Sequence, residues 1–266
     1  MDSDCFAGPS LVDTIASRAA STGRPVQADY RLVAPADDPD AGAMTRFAWR
    51  LKDTIRPLGY ARFGLPCQLG GSGMAVPWSV ANDAPLAGSD LVEDLKLGLD
   101  LAESGAAPVF EPRVWVDSEL PPAQSAQNTQ KERWVQGHLM TIASRVMPML
   151  GKSIKQRDAN IAAMALDLAV LPLGLLAMLL ALGIVISAMV TLLWSATSAL
   201  TVFALGLALV LGAVLITWML AGRDLVSAND LAGFGLGLLK KIPPRGRRWK
   251  MHRGSILRRG ESRRVP

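Results

Sequence analysis

Apolar and polar positions recur with two distinct periods along the first half of the chain, and periodicity disappears in much of the second. Leu11, Ile15, Ala19 and Ala20 follow Pro9 at helical spacing and stop before Gly23, which predicts a helix. Residues 25–33, PVQADYRLV, alternate as a half-buried strand does, and Met44, Phe47, Ala48, Leu51 and Ile55 mark the apolar face of a second helix. Residues 64–78, GLPCQLGGSGMAVPW, are apolar and rich in glycine, which lets backbone approach a ligand or another strand. Asp90 then stands as an N-cap with Glu93 three residues on, as in a capping box, ahead of the stripe Leu91, Leu95, Leu99 and Ala102 that closes at Gly105. Residues 108–116, PVFEPRVWV, predict another strand, and 117–127 a loop. A long amphipathic helix follows, with Val135, Leu139, Ile142, Val146 and Leu150 on one face and His138, Thr141 and Arg145 opposite. Because it precedes an apolar run, this helix is expected to lie in the plane of a membrane interface.

That run is the longest feature of the sequence. From 168 to 222, 55 positions carry no charged residue. One crossing of a bilayer takes ~20 apolar residues, so the length fits two. The polar break WSATSA, 194–199, divides it into spans of about 168–193 and 199–221, with Trp194 and Trp218 as interface anchors. The order of elements is that of an α/β domain with a membrane hairpin attached.

Charge orients the hairpin. Lys152, Lys155 and Arg157 precede it, Arg223 and a basic tail follow it, and its turn is uncharged. By the positive-inside rule both ends and the soluble part face the cytoplasm, as in a multi-pass protein of the cell inner membrane. Residues 240–266 hold 11 Lys or Arg against Glu261 alone, whereas the whole chain nets +5, so the rest of the protein is acidic. With the apolar-then-basic stretch 231–241 before it, the tail is expected to meet anionic lipids. No nucleic-acid-reading module accompanies this charge, and nucleic acid is not an expected partner. Two cysteines, Cys5 and Cys67, form no C-x-x-C pair, and two histidines, His138 and His252, leave little for a His-based metal site or a Ser/His/Asp triad. The first ten residues, MDSDCFAGPS, contain no apolar signal-peptide core.

Two features exceed what folding alone requires. Asp94 is a second carboxylate beside Glu93 in the first turn of a helix, where the dipole favours an anion but capping needs only one. In NTQKERWVQG, 128–137, Gln130, Arg133 and Trp134 fall at i, i+3 and i+4, so an amide, a guanidinium and an indole share one helix face. Read in order, DSD (2–4), VED (92–94) and QNTQKERW (127–134), with GGSGM (70–74) between the first two and a hairpin after the last, resemble the membrane-bound family-2 glycosyltransferases. These are cellulose-synthase-like and exopolysaccharide-synthase-like enzymes with the signature D-x-D, [ST]-E-D and Q-x-x-R-W. The likeness covers roughly residues 1–222.

The resemblance implies a GT-A nucleotide-diphospho-sugar transferase domain, here in part, over 1–135. An interface helix and linker (136–160), the transmembrane hairpin (161–222) and the basic cytoplasmic tail (223–266) follow. It implies Asp2 and Asp4 as ligands of Mg²⁺ or Mn²⁺ against a diphosphate, and Asp94 as the base that takes the acceptor's proton, with Glu93, the motif's other acid, beside it. Arg133 would bind the departing pyrophosphate, Gln130 would orient sugar or phosphate, Trp134 would stack on a ring, and Gly71 and Gly73 would let substrate approach. The donor would be a nucleotide-diphosphate sugar and the acceptor a glycan or lipid-linked glycan, with inversion at the anomeric carbon. Two departures qualify this. Val92 replaces the usual Ser or Thr, and the D-x-D begins at residue 2 instead of mid-domain, so the chain is expected to be the C-terminal portion of such an enzyme. A non-catalytic remnant or a partner subunit of a polysaccharide synthase is the alternative.

Overall fold

The structure, a computed structural model, describes residues 5–82, 92–121, 124–195, 197–231 and 233. A four-stranded mixed sheet has the order β1-β4-β2-β3, with β1 Cys5–Ala7, β2 Val26–Val33, β3 Met74–Ala75 and β4 Val109–Glu119. β2 and β4 pair in parallel at its centre, while β1 and β3 run antiparallel at the edges. Both expected strands are present, and β4 continues through Asp117–Glu119, where a loop was expected. Its register shifts between Ala28 and Asp29 of β2, whose partners are Glu111 and Trp115. Pro112 lies in the skipped stretch. It has no N–H for the ladder, so the strand bulges there.

Helix α1, Leu11–Thr22, lays Leu11, Ile15 and Ala19 on Val26, Ala28, Val114 and Val116 of the sheet, as its periodicity predicts. The second expected helix is longer and interrupted. α2, Ala43–Trp49, passes through a π-helical segment, Arg50–Ile55, into α3, Arg56–Arg62. Pro57 in the first turn of α3 has no N–H to offer the preceding turn, and the wider i→i+5 turns stand just ahead of it. A short helix α4, Trp78–Ala81, follows β3.

A second core joins three helices: α5 (Glu93–Glu103), α6 (Gln124–Gln156) and α7 (Ala159–Leu168). Leu95, Leu99 and Ala102 of α5 meet Val146 and Met149 of α6 and Ile161, Met164, Ala165 and Leu168 of α7. This changes two expectations. The apolar face of α6 that was to lie on lipid packs instead against protein, with Ile142 and Leu150 at the border of the core. Its Arg145, read as solvent-facing, pairs with Asp100 and Glu103 of α5, and Lys152 reaches Glu103 at 3.1 Å. Residues 161–168, assigned to the hairpin from their apolarity, form instead a buried helix of this core. Asp158 caps it, accepting from Asn160 N and Ile161 N.

Pro172 then opens α8, Leu173–Trp194, and α9, Ser198–Ala221, returns beside it. Both are long and apolar enough to cross a membrane, and few of their residues are buried in the protein alone. Residues 1–4, with Asp2 and Asp4, lie outside the described residues. So do Asp90, Leu91, the tail 240–266, and the side chains of Gln130 and Trp194.

Candidate functional site

β2 carries the site on two polar side chains. Gln27 and Asp29 are buried. Gln27 Nε2 donates to Ser72 O at 2.9 Å and its Oε1 accepts from Gly70 N at 2.9 Å, which pins the glycine loop to the strand. Asp29 accepts from Thr54 Oγ1 at 2.6 Å, which pins the π-helical segment to the same strand. Loop and segment are thereby held on one side of β2.

Within that loop the two glycines named from the sequence have separate tasks. Gly73 (φ +69°) packs: a Cβ there would stand 2.7 Å from Val116 Cγ1, and its carbonyl accepts from Ala28 N at 2.8 Å. Gly71 (φ +81°) faces Asp94: a Cβ there would stand 3.2 Å from Asp94 Oδ2. The absence of a side chain lets the loop close on that carboxylate.

Asp94 is the second residue of α5. The helix begins at Glu93, with Val92 and not Asp90 at the N-cap position and no side-chain cap. The start lies two residues later than expected, which moves Glu93 from the third helical position to the first, where it is exposed. Burial pushes the Asp94 carboxyl above the usual carboxylate range. A hydrogen bond from the Leu95 N–H and the charge of Lys52 oppose that rise, and Asp53 adds to it. A carboxylate so tuned holds a proton more firmly than an exposed one, as suits a group that is to accept one.

Lys52 and Asp53 come from the π-helical segment and pair at 3.0 Å. Neither was singled out in the sequence, where they read as solvated helix positions. The same segment begins just after Trp49, whose Nε1 donates to Tyr30 O at 2.9 Å and whose ring stands 5.1 Å from that of Trp134. Lys52 Nζ lies 5.4 Å from the Trp49 ring centre. Trp134 is thus joined through Trp49 to the segment that acts on Asp94, and at 37% exposure it keeps surface for a ligand. Arg133 is exposed on the same helix, and Gln130 belongs to it by position. Among the described residues no group of three His, Cys, Asp or Glu is placed to hold a metal ion.

A glycine loop closed on a helix-start aspartate, followed by a Q-x-x-R-W helix and two apolar helices, runs in the order of the resemblance. Residues 43–220 match the family model for glycosyl transferase family group 2. The chain belongs to that family. The match takes in Gly71, Asp94, Trp134 and both long apolar helices, so the mixed sheet and its helices are family-2 glycosyltransferase structure followed by a hairpin. A search among curated proteins returns no match.

Proposed function

We propose that this family-2 glycosyltransferase transfers a sugar, with inversion, from a nucleotide-diphosphate donor to a glycan or lipid-linked acceptor at the cytoplasmic face of the cell inner membrane. The observation that carries the reading is Asp94: a half-buried carboxylate of raised pKa, facing a glycine loop that leaves room beside it. In this reading Asp94 accepts the proton of the acceptor hydroxyl as that oxygen attacks the anomeric carbon. Lys52 tempers its basicity. Arg133 binds the leaving diphosphate by paired N–H donors, Gln130 orients donor or acceptor, and Trp134, braced by Trp49, gives a sugar ring a flat apolar face. Gly71 keeps open the space in which the hydroxyl meets the base.

Mg²⁺ or Mn²⁺ would rest on Asp2 and Asp4 and, when bound, would offset charge on the diphosphate. What supports that placement is Cys5, the residue after Asp4, whose Sγ donates to Ser72 Oγ at 3.5 Å in the glycine loop. The membrane-bound setting is supported by the two long apolar helices and by basic residues at both outer ends of the hairpin.

The test is binding and turnover on the whole chain in lipid nanodiscs. UDP with Mn²⁺ is expected to bind by calorimetry, and membranes are expected to release UDP from a UDP-sugar, at least 10²-fold less with Asp94→Asn. Nucleotide binding without any effect of Asp94→Asn would remove this carboxylate from the reaction. No nucleotide binding at all would favour a non-catalytic subunit.

A further inference from the structure

The π-helical segment Arg50–Ile55 carries Lys52 and Asp53, whose charges act on Asp94. Turns of the i→i+5 kind are rare and short, so the place of such a segment depends on what its side chains hold. Two fastenings run to β2. Trp49 Nε1, just ahead of the segment, donates to Tyr30 O at 2.9 Å, and Thr54 Oγ1, near its end, donates to Asp29 at 2.6 Å. A third runs to the hairpin: Arg50 Nη1 donates to Ala221 O at 2.9 Å and to both carboxylate oxygens of Asp224 at 2.8 Å.

The partners of Arg50 lie at the end of α9. Ala221 is the last residue of that helix, so its carbonyl lacks an intrahelical donor. Gly222 follows, and a Cβ there would stand 2.5 Å from the ring of Phe47. Phe47, buried and three residues before Arg50, shares its helix face, so α9 ends on a seat made by both. The Arg50–Asp224 pair is open to water, with side chains 32% and 60% exposed, and such a pair adds little to stability. What it does add is a fixed position for the turn that bears Lys52 and Asp53. Coulombic effects fall with distance, and these two act on Asp94 in opposite directions, so a shift of the segment changes their balance.

We infer that Arg50 is a positioning residue of the transfer site: it fastens the end of α9 to the π-helical segment and so sets where Lys52 and Asp53 stand beside Asp94. The inference rests on the glycosyl-transfer reading for its consequence in catalysis, and on geometry alone for the fastening. It ties the apolar hairpin to the chemistry, since whatever holds α9 also holds the neighbours of the base. All three bonds leave from one nitrogen, Nη1, so a lysine ammonium with its three donors can replace it, whereas glutamine is shorter and uncharged.

The experiment uses the full chain in lipid nanodiscs and reads the Asp94 carboxyl directly, as the protonated-carboxyl infrared band that Asp94→Asn removes, followed against pH. Burial raises this carboxyl, and Lys52 lowers it more than Asp53 raises it. Loosening the segment weakens both charges, so Arg50→Gln is expected to move the titration to higher pH, in the direction of Lys52→Gln, while Arg50→Lys stays near wild type. In the Lys52→Gln background, Arg50→Gln is expected to give no further rise. Asp224→Asn, at an exposed side chain, is the second variant and decides the matter if Arg50→Gln does not fold. It is expected to shift the titration the same way but less, since the bond to Ala221 O remains. An unchanged titration, or a rise that persists without Lys52, would mean that Arg50 serves stability only, and the inference falls. UDP-sugar turnover is measured on the same samples, and its acidic limb is expected to follow the titration. Wild type without turnover would sink the transfer reading, while the titration still judges the fastening.

Discussion

At the scale of single residues, the site depends on how Asp94 is held. Gly71→Ala would bring a methyl to 3.2 Å from Asp94 Oδ2 in a backbone conformation that side chains disfavour. The strain costs on the order of 1 kcal/mol, and a displaced base costs far more in rate. The expected outcome is a drop of ~10²-fold in UDP-sugar turnover with a fall in melting temperature of only a few degrees. The pH profile checks the electrostatics. Burial raises the carboxyl, so the acidic limb of activity is expected above the ~3.9 of an exposed aspartate. Lys52 lowers the Asp94 value and Asp53 raises it, so Lys52→Gln should move the limb to higher pH and Asp53→Asn to lower. Shifts in the same direction would contradict the arrangement. Asp94, Gly71 and Trp134 could be singled out as candidates because spacing and type survive in one dimension. Lys52, Trp49 and Arg50 could not, because each matters through a partner distant in sequence: Trp49 meets Trp134, and Arg50 meets Asp224.

At the scale of elements, periodicity located α1, β2 and the α5 stripe because each buries one face against a single neighbour. It misplaced what depends on two neighbours. α6 reads as a lipid-facing helix, yet its apolar stripe is taken by α5 and α7, and what faces outward is a thinner line of Met140, Met147 and Ile154. α7 is apolar enough to merge with the hairpin, and only Pro172 marks the boundary. The bulge in β4 was signalled by Pro112 but not its consequence. It leaves Glu111 fully buried, bonded by Arg113 Nε at 2.8 Å and by Arg18 at 2.8 Å. The hydrogen bonds from Arg113, ahead of those from Arg18 and against desolvation, hold its carboxyl down at about 2. A carboxylate depressed from 4.5 to about 2 contributes stability that is fully present above the higher value. That stability is lost as pH falls through the lower one. Glu111→Gln is therefore expected to cost about 2 kcal/mol at neutral pH, less than a fully buried pair, because both guanidiniums keep contact with water. The difference from wild type should shrink between about pH 4.5 and pH 2, as followed by urea unfolding.

At the scale of the whole molecule, the far end of the hairpin returns to the soluble domain. Arg50 donates to Ala221 O at 2.9 Å and to both oxygens of Asp224 at 2.8 Å. Gly222 lies so close to Phe47 that a Cβ would meet its ring at 2.5 Å. Trp218 Nε1 donates to Val226 O at 2.8 Å and its ring lies under Arg223. The start of α8 is held to the same domain, where His138 Nε2 donates to Val170 O at 3.1 Å. Both outer ends of the hairpin are therefore fixed on the side of the sheet, and its turn points away. The two cysteines present are buried, and burial pushes the Cys67 thiol up to about 12. Both should therefore resist maleimide in native membranes, which permits labelling at chosen points. Thr197 in the hairpin turn and Ala228 beyond α9 are exposed. In spheroplasts, Thr197→Cys is expected to react with a membrane-impermeant maleimide from outside, and Ala228→Cys only after permeabilisation. The reverse pattern would place the glycosyltransferase domain outside the cell. Equal labelling of both without permeabilisation would mean that α8 and α9 do not cross, and that their apolar surface meets another protein chain instead of lipid.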